Sequence, residues 1–243
     1  MAAQLSPGDT IGILGGGQLG RMLAMAAARL GLKTHIFCPE TDSPAFDVAA
    51  AKTIALYENE SALQAFAEAV DVVTYEFENV PARTADLLAA LRPVRPGPAA
   101  LAVSQDRLTE KDFLTDLGIA TAPYRNVEDA GALARAVGEL GRPSILKTRR
   151  FGYDGKGQVM IREGSDLGAV FRGLGGAPSI LEGFVPFIKE ISVIAARGLD
   201  GAFAAYDVTE NVHTNHVLSV SRAPARVDPA CATAAIAMAP KIA

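Results

Sequence analysis

Two hydrophobic periods alternate along this chain, and the changes from one to the other mark out its elements. Residues 10–14 form a short apolar run that enters Gly15-Gly16-Gly17-Gln18-Leu19-Gly20. The Ala-, Leu- and Met-rich stretch that follows to Leu30 predicts a helix, which Gly31 closes. Residues 33–38 read as a second strand, so 10–38 form a βαβ unit with a glycine-rich first turn. Further strands are expected at 52–56 and 71–77, with helices at 60–69 and 82–91. The run Arg92-Pro-Val-Arg-Pro-Gly-Pro marks a connection or a short edge strand. A helix opens at Asp106, carries Leu108, Phe113, Leu114 and Leu117 on its apolar side and closes at Gly118; another covers 131–140. After a strand near Ile145 and Leu146, the pattern predicts a strand at 158–161, a helix near 165–174 and a strand at 179–181. Residues 190–197, 202–208 and 216–221 then read as strands and 228–242 as a helix. The fold class is therefore α/β, a parallel Rossmann-like sheet first, turning to α+β with antiparallel strands in the second half.

Composition narrows the partners. With 243 residues, 49% of them hydrophobic and 21% charged, the chain is globular and long enough for two or three domains. A net charge of −4 without a basic tract argues against nucleic acid. Positive charge is instead local: Arg142, Lys147, Arg149, Arg150, Lys156 and Arg162 fall in one short segment, which suits a small polyanion. The first residues carry neither a basic nor an apolar leader pattern, and no apolar run reaches the roughly 18 residues of a membrane span. Cys38 and Cys231 lack CxxC spacing and read as buried or partly buried thiols of a reducing compartment. The expectation is a soluble cytoplasmic protein with no membrane partner.

Candidate chemistry is densest between Ser144 and Gln158. A strand-like piece delivers Lys147, and a loop with Gly152, Gly155 and Gly157 carries Lys156 between two glycines. Backbone N–H groups in such a loop approach an anion closely, with ammonium groups at both ends. Closure over nucleotide phosphates is one reading; a basic hairpin turned at Asp154-Gly155 is the other. Gly15, Gly17 and Gly20 satisfy G-x-G-x-x-G, but the positions where a dinucleotide site wants an acid hold His35, Ile36 and Phe37. A monophosphate site and a purely structural turn both remain open there. Glu76 and Glu78 alternate with Phe77, so in a strand both would face one side and could grip a hydroxyl or an amine, or simply be solvated. Arg107 sits in the first turn of its helix, where the dipole disfavours a cation, which hints at an external anion or is a solvated side chain. The polar turn around Asn211, His213 and His216 reads as a hairpin connection.

Taken together, GGGQLGRM at 15–22, Asp106-Arg107-Leu108, Lys147 with FGYDGKGQ at 151–158, and the segment 182–197 resemble the ATP-grasp superfamily, and within it the carboxylating ribonucleotide synthetases of purine biosynthesis. The resemblance covers essentially the whole chain. It implies a pre-ATP-grasp domain at 1–103, a small lid subdomain at 104–180 and the beginning of the core subdomain at 181–243, an ATP-grasp fold incomplete at its C-terminal side. It implies ATP binding by Arg107, Lys147, the loop Gly152, Tyr153, Asp154, Gly155, Lys156, Gly157 and Gln158, the adenine segment Glu182, Gly183, Phe184 and Val185, the ribose acceptor Glu190, and His213. Gly17, Gln18, Leu19, Glu76 and Tyr153 match substrate-binding positions; Asp154 and Lys156 match catalytic ones. The implied reaction is ATP-dependent carboxylation of aminoimidazole ribonucleotide by bicarbonate through carboxyphosphate, in a homodimer. Magnesium is implied as well, with ligands expected beyond residue 243, so no metal ligand is assigned. A formate-dependent glycinamide ribonucleotide transformylase would want an acid at Gln18; a nicotinamide-dependent reductase would want one at 35–37; a non-catalytic nucleotide-binding module is the third alternative.

Overall fold

The computed structural model describes residues 4–152 and 155–243. The chain divides into two compact units, Met1–Gln105 and Asp106–Ala243.

The first unit is built on four parallel strands in the order β3-β2-β1-β4: β1 at Thr10–Leu14, β2 at Lys33–Cys38, β3 at Ala51–Ile54 and β4 at Val72–Tyr75. Parallel neighbours need crossovers: α1 at Gln18–Arg29 joins β1 to β2, a 3-10 turn at Pro44–Asp47 joins β2 to β3, and α2 at Glu60–Glu68 joins β3 to β4; α3 at Ala82–Ala89 and α4 at Pro98–Ser104 follow. Strand residues alternate between the two faces. Leu14, Phe37 and Val73 pack with Leu63 and Phe66 of α2, Leu88 of α3 and Leu101 of α4. Ile13, Ile36 and Cys38 form the opposite core with Ala45. The proline-rich run after α3 joins the sheet only through one parallel bridge, Val94 to Val73, before Gly97 and Pro98 start α4. That helix was not expected from the sequence, because proline at its first turn looks like a break but is tolerated there.

The second unit opens with α5 at Arg107–Asp116, capped by Asp106. An antiparallel sheet follows in the order β5-β8-β6-β7, from β5 at Tyr124–Val127, β6 at Ser144–Thr148, β7 at Gln158–Ile161 and β8 at Ser179–Gly183. Helices α6 (Ala130–Leu140) and α7 (Leu167–Gly173) cover one face, burying Leu133, Val137, Leu146, Ile161 and Leu181. The remaining strands are shorter. Residues 190–197, expected as one strand, split into β9 at Glu190–Ser192 and β10 at Ala195–Arg197, which pair with different neighbours. β10 pairs with β11 (Phe203–Ala205), while β9 joins β12 (Thr209–Thr214) and β13 (Val217–Arg222). α8 spans Pro229–Ile242 and buries no residue, so Cys231 is exposed, contrary to the expectation for both thiols. Among the described residues no helix is long and apolar enough to cross a membrane.

Candidate functional site

In the first unit the glycine-rich turn carries the chain from β1 into α1. Gly20 lies so close to the turn that a Cβ there would sit 2.8 Å from the Gly15 carbonyl oxygen, which is why only glycine serves. β4 ends at Tyr75, not at residue 77 as expected, and Glu76 follows with its N–H on the Leu14 carbonyl at 3.1 Å. Its side chain turns back to the glycines: Oε1 accepts the Gly17 N–H at 2.6 Å and Oε2 accepts the Gly20 N–H. The positive end of α1 is thus met by a carboxylate of the chain itself. The N–H groups of Gly17 and Gly20 are thereby taken up within the chain. Glu78 does not join Glu76; it is exposed and accepts a bond from Asn79 Nδ2 at 3.2 Å. Gln18 and Leu19 stand exposed on the first turn of α1. A cavity of about 290 Å³ beside the turn is lined by Glu40, Asp42, Ser43, Tyr57 and Glu76. Burial, with smaller contributions from the charges of Cys38, Glu40 and Glu76, pushes the Tyr57 hydroxyl well up, so it stays a donor. Three carboxylates suit an amine or a hydroxylated group better than an inorganic anion.

In the second unit, strand register sets the chemistry. Residues directly opposite in an antiparallel pair share a face, and Ile145 lies opposite Glu182, Lys147 opposite Gln158. Leu146 and Leu181 point into the helix-covered core, which puts Lys147, Gln158 and Glu182 together on the other face. Glu182 is only 8% exposed. Its Oε2 receives Lys147 Nζ at 2.9 Å, and its Oε1 lies 3.6 Å from Lys111 Nζ on α5. Lys111 is four residues after Arg107, so both cations rise from one side of that helix. Arg107 spans the start of the loop, donating from Nη1 to the Thr148 carbonyl at 2.8 Å and from Nη2 to the Gly152 carbonyl at 3.0 Å. Asp106 holds this end of α5 in place. It caps the Leu108 N–H at 2.9 Å and pairs with Arg149, Oδ2 to Nη2 at 2.7 Å. Burial alone would raise the Asp106 carboxyl, but the bonds from Arg149 and Leu108, with the Arg149 charge, hold it below its ordinary value.

Gln158 also belongs to the wall of a cavity of about 660 Å³, shared with Gly155, Glu190, Asn211, His213 and His216. Across it, His213 Nδ1 lies 3.6 Å from Glu190 Oε1, and Asn211 Nδ2 bonds Ser192 Oγ at 3.1 Å. Asn215 and His216 both take positive φ at the β12–β13 turn, and this lays the His216 ring against Gly155. At the end of β8, the Gly183 N–H is used by the Pro123 carbonyl at 2.8 Å and the Phe184 N–H by the Pro143 carbonyl at 3.3 Å. Val185 is exposed, and its N–H takes no partner among the described residues.

The structure thus groups Arg107 with Gly152, Lys147 with Gln158 and Glu182, and Gly155 with Glu190 and His213. Gly157 has φ +70°, and a Cβ there would lie 2.6 Å from Thr148 Oγ1, so this glycine is required by the backbone. Tyr153 and Asp154 lie outside the described residues; Lys156 follows on the same loop. Lys111, Asn211 and His216 were missed as site residues by sequence reasoning. The spacing of Lys111 from Arg107 could have pointed to it; nothing in the local sequence singles out the other two. Among the described residues, no cluster of three or more His, Cys, Asp and Glu side chains is arranged to hold a metal ion.

Both units of the chain match family models. Residues 9–105 match the ribonucleotide synthetase pre-ATP-grasp domain and residues 112–243 the ATP-grasp domain. The chain belongs to the ATP-grasp family. Its relatives include the N5-carboxyaminoimidazole ribonucleotide synthase of Brucella melitensis, 52% identical over 240 residues that make up 98% of this chain and 66% of that protein. A solved N5-carboxyaminoimidazole ribonucleotide synthetase in complex with ADP superimposes with a TM-score of 0.94 at 42% identity, covering 100% of this chain and 64% of the other. The enzyme of Aspergillus clavatus, solved with ADP and 5-aminoimidazole ribonucleotide, gives 0.86 at 26% identity over 97% of this chain and 62% of its own. The chain spans just under two thirds of the length of these relatives. The resemblance to carboxylating ribonucleotide synthetases is borne out, and so is the fold class.

Proposed function

We propose that the chain binds ATP in its second unit and serves the ATP-dependent carboxylation of 5-aminoimidazole ribonucleotide by bicarbonate. The observation that carries this is the convergence of Lys111 and Lys147 on one sheet face whose Gln158 also walls the 660 Å³ cavity, with Arg107 holding the start of the glycine loop. Such a volume suits a nucleotide. Glu190 and Asn211 offer groups for ribose hydroxyls, His213 lies beside them, and the exposed Val185 N–H offers a donor to an adenine ring nitrogen, within the segment Glu182 to Val185. Relatives solved with ADP support this reading.

The reaction proposed transfers the terminal phosphoryl group of ATP to a bicarbonate oxygen, leaving ADP and carboxyphosphate. The exocyclic amine of the ribonucleotide then attacks the carboxyl carbon; the C–O bond to phosphate breaks, phosphate departs, and the amine loses a proton. Carboxyphosphate is short-lived in water, so holding the amine beside it and excluding solvent decides the outcome. Loop 152–158 would act as the lid. Asp154 would accept the amine proton, Lys156 would stabilise charge on the transferring group, and Tyr153 would meet the substrate. The resemblance also carries Gly17, Gln18, Leu19 and Glu76 of the first unit as substrate-binding positions. Magnesium would accompany the nucleotide, and no residue of this chain is assigned to it.

The same reading divides the chain at 1–103, 104–180 and 181–243; the four-stranded sheet of the second unit gives way to two smaller sheets after β8, which ends at Gly183. A homodimer in the cytoplasm completes the proposal. Phosphate release is its test: release that requires ATP, 5-aminoimidazole ribonucleotide and bicarbonate together supports it. Release that needs formate and glycinamide ribonucleotide instead would overturn it.

A further inference from the structure

We infer that Lys111 is a positioning residue of the nucleotide site, acting as the second counterion of Glu182 so that Lys147 is released to the phosphates. This deepens the nucleotide reading above and rests on it. Glu182 is 8% exposed and receives one ammonium on each carboxylate oxygen, Lys147 at 2.9 Å and Lys111 at 3.6 Å. A single carboxylate is neutralised by a single lysine, so this trio carries one surplus positive charge on the sheet face. An incoming polyanion competes for that charge, and Lys147 stands at the end of the strand that leads into the glycine loop. If Lys147 turned to the phosphates with no other cation near, a mostly buried carboxylate would lose its only partner, a costly arrangement.

Lys111 removes that obstacle. Its side chain is 15% exposed, and its Nζ lies 5.7 Å from the centre of the Tyr124 ring, which faces Glu182 across the β5–β8 pairing. The Tyr124 hydroxyl donates to Asp112 Oδ1 at 2.7 Å. α5 is pinned at its start by Asp106 and Arg149 and carries Arg107 one turn earlier, against the start of the loop. One helix thus supplies both the loop contact and the charge that stays with Glu182 when Lys147 leaves it.

The test is a double-mutant cycle read by calorimetry with ADP and with adenosine, on the full chain. Lys111→Met keeps the apolar stem and removes the charge. It should weaken ADP by about tenfold or more, the value of one charge-assisted bond, while adenosine affinity holds. Lys111→Arg should restore ADP binding. In the E182Q background no carboxylate needs a counterion, so adding Lys111→Met should cost ADP nothing further; coupling of this kind is what the cycle isolates. An equal loss with and without E182Q overturns the inference, because Lys111 would then act directly or only through the fold. Unchanged ADP affinity in Lys111→Met, or equal losses for ADP and adenosine, overturns it as well. Wild-type protein that binds no ADP overturns the nucleotide reading itself, and this inference with it.

Discussion

His35 shows how one side chain couples burial to pH. It is 9% exposed in the middle of β2, with Nε2 at 2.8 Å from Thr53 Oγ1 and its ring edge-on to Phe66 at 5.0 Å. Burial disfavours its charged form and lowers its pKa from the ordinary 6.5. The unfolded chain therefore takes up the proton first. Stability is fully present above 6.5 and is lost as the pH falls through the lowered folded value. Denaturant unfolding between pH 7.5 and 5 should show this decline, and His35→Gln should flatten it; an unchanged slope in the variant would assign the decline to other groups. From sequence, His35 was only a position where an acid was wanted and missing. Its neighbours in space, Thr53 and Phe66, come from elements far along the chain.

At the scale of elements, α5 and its cap do most to arrange the second unit's site. Asp106 before an apolar-periodic run announced the helix, and the cap is there, so this part was legible locally. The partner Arg149, 43 residues on, was not, because only the fold returns the end of β6 to the start of α5. Asp106→Asn keeps a capping oxygen but removes the charge facing Arg149. Because the Asp106 pKa is lowered, its contribution is present above the ordinary 3.8 and is lost as the pH falls through the folded value. The variant should be less stable by about 1–3 kcal/mol at pH 7, with the gap closing below pH 4, as urea melts at both pH values would show. The strand pattern after residue 190 was harder to read. Segments that bury little carry a weak period, and 190–197 broke into two strands of different sheets for that reason.

At the scale of the molecule, two compact units each possess a core of their own. Residues 1–105 enclose a parallel sheet between two apolar layers, which is enough for independent folding. Expressed alone, that segment should unfold in one cooperative transition with the helical and strand circular dichroism of a folded unit; a broad, non-cooperative melt would show that it needs the rest of the chain.

What the sequence determined by itself was local: the βαβ opening, the strands and helices through residue 183 other than α4 and β5, the glycine loop with its cations, and the motifs that marked the ATP-grasp resemblance. Hydrophobic period, caps and turn residues act over a few positions, and each of these features is written within such a span. Tertiary structure alone decided that Glu76 would turn back onto the α1 glycines, that Lys111 and Lys147 would share Glu182, and that His216 would lie against Gly155. Each joins residues tens of positions apart, or depends on strand register and a left-handed hairpin turn, and no short-range pattern encodes which distant side chain a backbone will meet.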